Sequence, residues 1–320
     1  MDGSVAPSPA SARLVFFGNE RLATGLSTDL SILRGLIAAG YTIAAIVVGQ
    51  EDGRSSRKTR PLEIAALAQE HGIPVLAPGK LSDIQDELAA YQAEAGVLAA
   101  YGKLVPQSVI DIFPAGIVNI HPSLLPRHRG SIPIEGAILQ GDSETGVSLM
   151  QLVSKMDAGP VYAQETVLLN GQETKQQLAN QLAELGRDML VQYLPAILTR
   201  SLTPSPQDDA AATYDSRLKK EDGIIEIDGW MQPAIVLERK VRALAGWPRV
   251  RTTLGTTEMI ITAAHVREGE GEPGTLWIDG KQLGIHCQDG ILVIDSLIPA
   301  GRKEMTAAAY LAGYKPPTDN

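Results

Sequence analysis

The stretch GIVNIHPSLLPRHRG, residues 116–130, constrains the fold of this chain more than any other. It opens with β-branched apolar residues, which are typical of a buried strand. Asn119 and His121 stand where that strand should end, and side chains two residues apart on a strand project to the same face. Pro122 and Pro126 then exclude both a helix and a central strand, so a stiff loop follows. The stretch therefore predicts a ligand site at the carboxyl end of a strand in an α/β sheet.

Asn119 and His121 can together donate two hydrogen bonds to one oxygen atom. Asp157 follows later, in the segment KMDAGPVYAQE. A carboxylate beside an imidazole favours the charged form of the ring and fixes its orientation. A single histidine at a strand end is more often structural than catalytic, but the three groups together indicate a site that stabilises negative charge on an oxygen.

The N-terminal part of the chain predicts a doubly wound sheet. A strand at 14–17, a helix at 30–39 and a strand at 41–48 follow each other around a glycine turn, which is typical of the start of such a fold. That turn lacks the glycine fingerprint of dinucleotide-binding proteins, so a nicotinamide or flavin cofactor has little support. A further strand at 96–100 is expected beside the strand that carries Asn119, where its exit would form a wall of the same cleft.

At 320 residues the chain is long enough for two domains. Residues 1–12 are small and polar, which indicates a disordered leader and not a signal peptide. Residues 201–213 contain two prolines and small polar side chains, which are typical of a flexible linker. Short strands separated by turns follow in 214–320 and predict a small β-barrel of the oligonucleotide-binding type. The expected fold class is α/β, with a doubly wound, Rossmann-like N-terminal domain over 13–200 and a smaller C-terminal OB-like β-barrel.

The net charge of −9 argues against a protein coated in basic patches, so any attraction to nucleic acid must come from local basic surface. Two groups of basic residues stand out, one in the polar loop 50–61 and one in the second domain. The groups are Arg54, Arg57, Lys58 and Arg60, and Arg239, Lys240, Arg242, Arg249 and Arg251. A solvated surface is the commoner explanation for such residues, and phosphate binding is the alternative.

Other classes of protein find little support in the sequence. The single cysteine, Cys287, excludes a disulfide within the chain and fits a reducing, cytoplasmic compartment. No histidines or cysteines have the spacing of metal ligands, and no apolar stretch approaches the length of a membrane span. Nothing in the sequence indicates an obligate protein partner.

The chain resembles the folate-dependent formyltransferases. The resemblance is carried by the Asn-x-His strand end, the Ser-Leu-Leu-Pro loop and the later Asp-x-Gly, which occur here in that order. In the second half, RALAGWPRV and SLIPAGRKEM are similar to the branch of the family that acts on initiator tRNA. Two features depart from the family pattern. GNERLATG follows the first strand in place of a Gly-Thr-Pro turn, and the basic loop is shorter than usual, with Arg54 or Arg57 standing for the arginine that contacts the acceptor stem.

The resemblance implies transfer of a formyl group from 10-formyltetrahydrofolate to the α-amine of methionine on initiator tRNA, without a metal. Asn119 and His121 would stabilise the oxyanion, and Asp157 would hold His121 charged and relay a proton. Residues 13–200 would form the catalytic domain and residues 214–320 a tRNA-binding domain. The expected folate-binding residues are Ser123, Leu124, Leu125, Pro126, Ala100 and Tyr101, and the nine basic residues named above would contact the tRNA.

Three alternatives stay open. A sugar-nucleotide N-formyltransferase has the same donor chemistry and a similar two-domain layout, and a formyltetrahydrofolate hydrolase would use water as acceptor. From a different class, the chain could be an RNA-binding module with a degenerate α/β domain. The intact Asn119, His121 and Asp157 argue against the last, and the appended β domain argues against a formyltransferase of purine synthesis.

Overall fold

A computed structural model describes residues 12–20, 24–49, 63–254 and 257–313. The chain forms two compact units, and neither is a single run of sequence. The first unit comprises Met1–Pro133, Glu144–Leu168 and Gln176–Ser216, and the second comprises Ile134–Ser143, Leu169–Lys175 and Arg217–Asn320. Two short segments from the middle of the chain, 134–143 and 169–175, thus belong to the same unit as its C-terminal part.

The first unit contains a seven-stranded sheet. Its strands are β1 (Arg13–Gly18), β2 (Thr42–Val47), β3 (Val75–Leu76), β4 (Ala95–Ala99), β5 (Ile117–His121), β7 (Glu144–Gln151) and β8 (Val161–Leu168). Their spatial order is β3-β2-β1-β4-β5-β7-β8; β1 to β5 run parallel, and β7 and β8 run antiparallel to their neighbours. A separate two-stranded ladder pairs β6 (Arg129–Gly130) with β9 (Tyr214–Asp215) in parallel.

The five residues of β4 and the five of β5 are all buried, which is expected of parallel strands with helices on both faces. The helices of the first unit are α1 (Ser31–Ala38), α2 (Glu63–Glu70), α3 (Gln85–Ala90), α4 (Gln107–Ile110) and, from its second residue onward, α6 (Lys175–Leu198). Gly186 of α6 lies directly on β5, since a Cβ atom there would be 2.7 Å from Ile120 Cγ2. The prediction of a doubly wound, Rossmann-like domain is confirmed.

The second unit is a separate antiparallel sheet with helices. Its strands are β10 (Val250–Leu254), β11 (Thr257–Arg267), β12 (Leu276–Asp279), β13 (Gln282–Cys287), β14 (Gly290–Pro299) and β15 (Met305–Thr306), and its helices are α5 (Pro133–Gln140, from Ile134), α7 (Ala234–Ala243) and α8 (Ala307–Gly313). The strand order is β10-β11-β14-β13-β12, with β15 on β14. Short 3-10 turns occupy Leu81–Ile84, Asp209–Ala211, Lys220–Gly223 and Ile227–Met231. The predicted small β domain is confirmed as an antiparallel sheet, while its closure into an OB-like barrel stays a prediction.

The stretch predicted to be a linker is partly ordered against the first unit. Val161 and Ser205 exchange two backbone hydrogen bonds of 2.8 Å, and β9 lies beside β6. Because these backbone groups are paired within the first unit, residues 205–215 are not a free tether. Of the leader predicted over residues 1–12, residues 1–11 lie outside the described part of the chain. No helix in the described ranges has both the length and the apolar character needed to cross a membrane.

Candidate active site

The two polar residues at the end of β5 lie where the sequence predicts them. Asn119 sits between Leu98 of β4 and Met150 of β7, and His121 lies opposite Ser148 of β7. Asn119 and His121 are each 5% exposed. No hydrogen bond engages the Asn119 amide within the described ranges, so its NH2 group is available to an acceptor on a ligand.

The imidazole of His121 is fixed from two sides. Its Nε2 lies 3.0 Å from the backbone oxygen of His128, and because a carbonyl can only accept, Nε2 must carry the hydrogen. Its Nδ1 lies 3.8 Å from Asp157 Oδ1, which is too long for a hydrogen bond but within ion-pair range. With a hydrogen on Nε2, Nδ1 can donate only when the ring carries both hydrogens, and Asp157 Oδ1 is the carboxylate oxygen that faces it.

Asp157 is held so that one carboxylate oxygen faces the imidazole. Its Oδ2 accepts a hydrogen bond of 2.8 Å from the backbone N–H of Gly130, which leaves Oδ1 directed at His121. Gly130 has a φ of +121°, and a Cβ atom there would collide with the backbone oxygen of Asp215. Only glycine fits this position, so the glycine that ends the RHRG segment is a structural requirement of the site.

The Ser-Leu-Leu-Pro loop is compact, and its members face different ways. The Ser123 side chain is fully buried and its Oγ donates to the backbone oxygen of Arg127 at 2.7 Å, so it closes the loop and is not free to bind a ligand. Leu125 is buried, whereas Leu124 and Pro126 are half-buried. Of the predicted loop residues, Leu124 and Pro126 therefore have the side-chain surface that a ligand could contact.

Ser148 supports this loop, and the sequence interpretation missed it. Its fully buried Oγ donates to the backbone oxygen of Ser123 at 2.6 Å and accepts from the Leu125 N–H at 3.0 Å and from Gln164 Nε2 at 2.8 Å. One signal was present. The alternation along the segment GVSLMQL puts Val147, Leu149 and Gln151 on one face and Ser148 on the other.

Replacing Ser148 with Ala should lower the free energy of unfolding by about 2 kcal/mol, since the buried Leu125 N–H and the Ser123 carbonyl both lose their hydrogen bond to its hydroxyl. Equilibrium denaturation in urea would measure this. Ser27→Ala removes the same hydroxyl from an exposed position and serves as the control. Equal unfolding midpoints for the two variants would show that Ser148 does not support the loop.

The other predicted wall of the cleft is built by backbone. Tyr101 is 2% exposed, its ring packs edge-on against Phe17 at 5.8 Å, and burial raises the pKa of its hydroxyl to about 12. The Tyr101 side chain thus belongs to the core, and only its main chain can line a cleft. Asn19, from the unusual turn after β1, donates to the backbone oxygens of Ala100 (3.2 Å) and Tyr101 (2.7 Å) and accepts from the Gly49 N–H (2.9 Å). It ties three strand ends together, a role that the sequence did not indicate.

The basic residues predicted to contact RNA fall into two groups. Arg54, Arg57, Lys58 and Arg60 lie outside the described residues. In the second unit, Arg242 donates to both carboxylate oxygens of Glu238, at 2.6 and 2.9 Å, and to the backbone oxygen of Glu173 at 2.9 Å. The guanidinium of Arg242 is therefore engaged within its own unit.

The remaining basic residues of the second unit differ in exposure. The Arg239 guanidinium packs against Gly141, and Lys240 is half-buried, which lowers the pKa of its amine. Arg251 is also half-buried. Arg249 is exposed, and among the described residues its guanidinium donates to the backbone oxygen of Gly246 alone, at 3.0 Å. Arg249 is therefore the best placed of these five for contact with a phosphate.

The described residues contain no cluster of three or more histidine, cysteine, aspartate or glutamate side chains that could hold a metal ion. The groups at the end of β5 can make hydrogen bonds and transfer protons. An amide donor, an imidazole and a carboxylate oxygen at one strand end can stabilise a developing oxyanion and accept a proton.

Two models of known protein families match this chain. A family model described as "formyl transferase" matches residues 35–194, and one described as "formyl transferase, C-terminal domain" matches residues 217–315. These matches, together with the fold, show that the chain belongs to the class of formyl transferases.

Comparison with curated relatives shows which formyl transferases this chain resembles over its length. The methionyl-tRNA formyltransferase of Roseiflexus castenholzii is 39% identical over 312 residues, which cover 95% of this chain and 97% of that protein. The enzymes of the same name from Chloroflexus aurantiacus and Myxococcus xanthus are 40% and 37% identical, over 94% and 95% of this chain and 96% and 95% of theirs. The chain belongs to the methionyl-tRNA formyltransferase family.

Solved structures share the fold at low identity. HypX from Aquifex aeolicus in complex with tetrahydrofolic acid has a TM-score of 0.63 and 18% identity, over 94% of this chain and 46% of that one. WlaRD, a sugar 3N-formyl transferase crystallised in the presence of dTDP and 5-N-formyl-THF, has a TM-score of 0.66 and 15% identity, over 91% of this chain and 99% of that one. At these identities the comparison shows the fold.

Proposed function

We propose that this chain transfers the formyl group of 10-formyltetrahydrofolate to the α-amine of methionine on initiator tRNA, as the first step in using that tRNA for translation initiation. The similarity to methionyl-tRNA formyltransferases over nearly the whole chain supports this function. The observation that carries it is the placement of His121 Nδ1 3.8 Å from Asp157 Oδ1 at the end of β5, with the free Asn119 amide on the same face.

The chemistry follows from these groups. The neutral amine of methionine attacks the formyl carbon, and the formyl oxygen gains negative charge. The Asn119 NH2 group and the His121 Nδ1–H would both donate to that oxygen. Nδ1 is the ring nitrogen available for this task because Nε2 is engaged by the His128 carbonyl.

A proton must also move. As the bond from the formyl carbon to the amine forms and the bond to N10 of the folate breaks, the amine loses a proton and N10 gains one. Asp157 Oδ1 is free of the Gly130 hydrogen bond and can accept and return that proton, directly or through a water. The same oxygen stabilises the charged His121 ring, so Asp157 both supports the oxyanion donor and acts as the base.

The folate donor would lie along the half-buried Leu124 and Pro126 and the backbone of Ala100 and Tyr101. Ser123 and Leu125 would act from beneath by keeping the loop formed, which lowers the entropy cost of binding. Folate compounds named with the related structures of HypX and WlaRD support a folate co-substrate. The chemistry needs no metal.

The acceptor tRNA would be bound by basic surface. We propose that residues 13–200 act as the catalytic domain, that the basic loop Arg54–Arg60 contacts the aminoacyl end, and that residues 214–320 bind the tRNA elsewhere, chiefly through Arg249. Phosphate contacts position nucleic acids and account for much of their affinity. Since charged initiator tRNA is present where ribosomes work, the enzyme would act in the cytoplasm.

A direct assay tests the acceptor. The protein is given 10-formyltetrahydrofolate labelled at the formyl carbon and, in separate reactions, charged initiator tRNA, a dTDP-linked amino sugar or no acceptor. Label should enter methionyl-tRNA. Label in the sugar would instead assign the chain to the sugar N-formyltransferases, and release of labelled formate without an acceptor would assign a hydrolase.

A further inference from the structure

We propose that Gln207 is a positioning residue that holds the turn carrying Asp157, an inference that rests on the catalytic role proposed for Asp157. Gln207 lies in the ordered stretch 205–215, beyond the last strand of the large sheet. It is far from β5 in sequence and belongs to the same unit.

The amide of Gln207 spans the turn. Its Nε2 donates to the backbone oxygen of Asp157 at 2.8 Å and to that of Gly159 at 2.7 Å. An amide NH2 group has two hydrogens, so each carbonyl receives one. Gly159 also packs closely against β7, since a Cβ atom there would collide with the backbone oxygen of Gln151. Gln207 therefore holds the turn from Asp157 to Gly159 by a hydrogen bond at each end.

The oxygen of the Gln207 amide also has defined partners. Gln207 Oε1 accepts from Arg129 Nε at 3.1 Å and from Arg129 Nη2 at 2.8 Å. The Arg129 side chain is fully buried, and it also binds Asp209 Oδ1 at 2.7 Å and the Tyr214 hydroxyl at 2.9 Å. Rotating the Gln207 amide by half a turn would place its NH2 group against the guanidinium. The orientation of the amide is thus set by its partners.

Two adjacent residues of β6 consequently hold the two parts of Asp157. Arg129 acts through Gln207 on the Asp157 backbone, and Gly130 acts directly on the Asp157 carboxylate. Asp157 has a φ of +47°, a conformation that residues other than glycine seldom adopt without support. Without the two Gln207 hydrogen bonds, the turn would relax and Oδ1 would move from its place opposite His121 Nδ1.

Two substitutions test this role. Gln207→Glu keeps an oxygen toward Arg129 but places the other oxygen against the two carbonyls, and Gln207→Met keeps the volume of the side chain without hydrogen bonds. Each should lower kcat for formylation of methionyl-tRNA on the order of 10- to 100-fold, while KM for the donor and the tRNA changes less than about threefold. Gln69→Glu and Gln69→Met make the same changes at an exposed position of α2 and should leave kcat unchanged.

The same substitutions in an Asp157→Asn background separate positioning from general destabilisation. If Gln207 acts through Asp157, Gln207→Met should cause less than about a twofold further loss there, measured in single turnovers at high enzyme concentration. Equal losses in both backgrounds, or normal kcat in both single Gln207 variants while Asp157→Asn is inactive, would overturn the inference. Normal kcat in Asp157→Asn would instead refute the proposed role of Asp157.

Discussion

His121→Ala and Asn119→Ala are each expected to lower kcat by about 100- to 1,000-fold, because each removes one hydrogen-bond donor from the formyl oxygen when its charge develops. KM for the folate donor should change little, since the ground-state carbonyl carries less charge than the oxyanion. The measurement is steady-state formylation of methionyl-tRNA at saturating donor. Asp157→Asn keeps the shape of the side chain and removes its charge, and should produce a loss of similar size.

Matched controls are available on the same chain. His71→Ala and Asn180→Ala remove the same groups from exposed positions, and they should retain normal kcat. If any one of the Asn119, His121 or Asp157 variants retained near-normal kcat, the role proposed for that residue would be wrong. The three losses should also fail to add in combination, since the groups act on one oxygen and one proton.

Neutralising Arg54 and Arg57 together is expected to lower kcat/KM for methionyl-tRNA on the order of 10- to 100-fold, because each charge-assisted hydrogen bond to a phosphate contributes more than a neutral hydrogen bond. Binding of the folate donor should not change. The slope of log affinity against log salt should fall by about 2, one for each arginine that no longer neutralises a phosphate. Filter binding of tRNA between low and moderate salt measures that slope.

The control for this experiment removes two charges elsewhere. Arg34→Ala combined with Lys80→Ala changes the net charge equally at exposed positions outside the loop and should leave the salt slope unchanged. In the second unit the informative variant is Arg249→Ala, which should weaken tRNA binding without loss of stability. Arg242→Ala is a poor substitute, since it leaves the carboxylate of Glu238 unpaired. Unchanged tRNA kinetics in the loop and Arg249 variants would contradict RNA binding through these residues.

Local sequence was sufficient to identify the central features of the fold and the site. The two-residue spacing of Asn119 and His121 predicts a common face because strand side chains alternate, and the strand ends there because of the prolines that follow. The order of strands and helices predicts a doubly wound sheet because parallel strands need helical crossovers. The alternation along a strand and the end of a strand at proline depend on residues that are close in the sequence. A short stretch of sequence is therefore enough to predict them.

Charge patterns were less informative. The i, i+3 spacing of Arg239 and Arg242 predicts a shared helix face, but the structure uses the Arg242 guanidinium to pair with Glu238 and with the backbone oxygen of Glu173. Spacing along the helix also places Glu238 beside Arg242 at i, i+4, but it does not reveal the contact with Glu173, which belongs to another segment.

Sequence patterns therefore determined the fold class and the polar strand end, and resemblance to a known family singled out the acid that faces it. Tertiary structure alone decided which nitrogen of His121 is engaged by a backbone carbonyl and which faces Asp157. It also decided that Ser148 supports the loop and that Gln207 holds the turn at Asp157. Each of these rests on a hydrogen bond whose partners are separated by a turn or by many residues. Such a bond forms only after the sheet has brought the segments together, because its direction and length depend on backbone positions that no local pattern fixes.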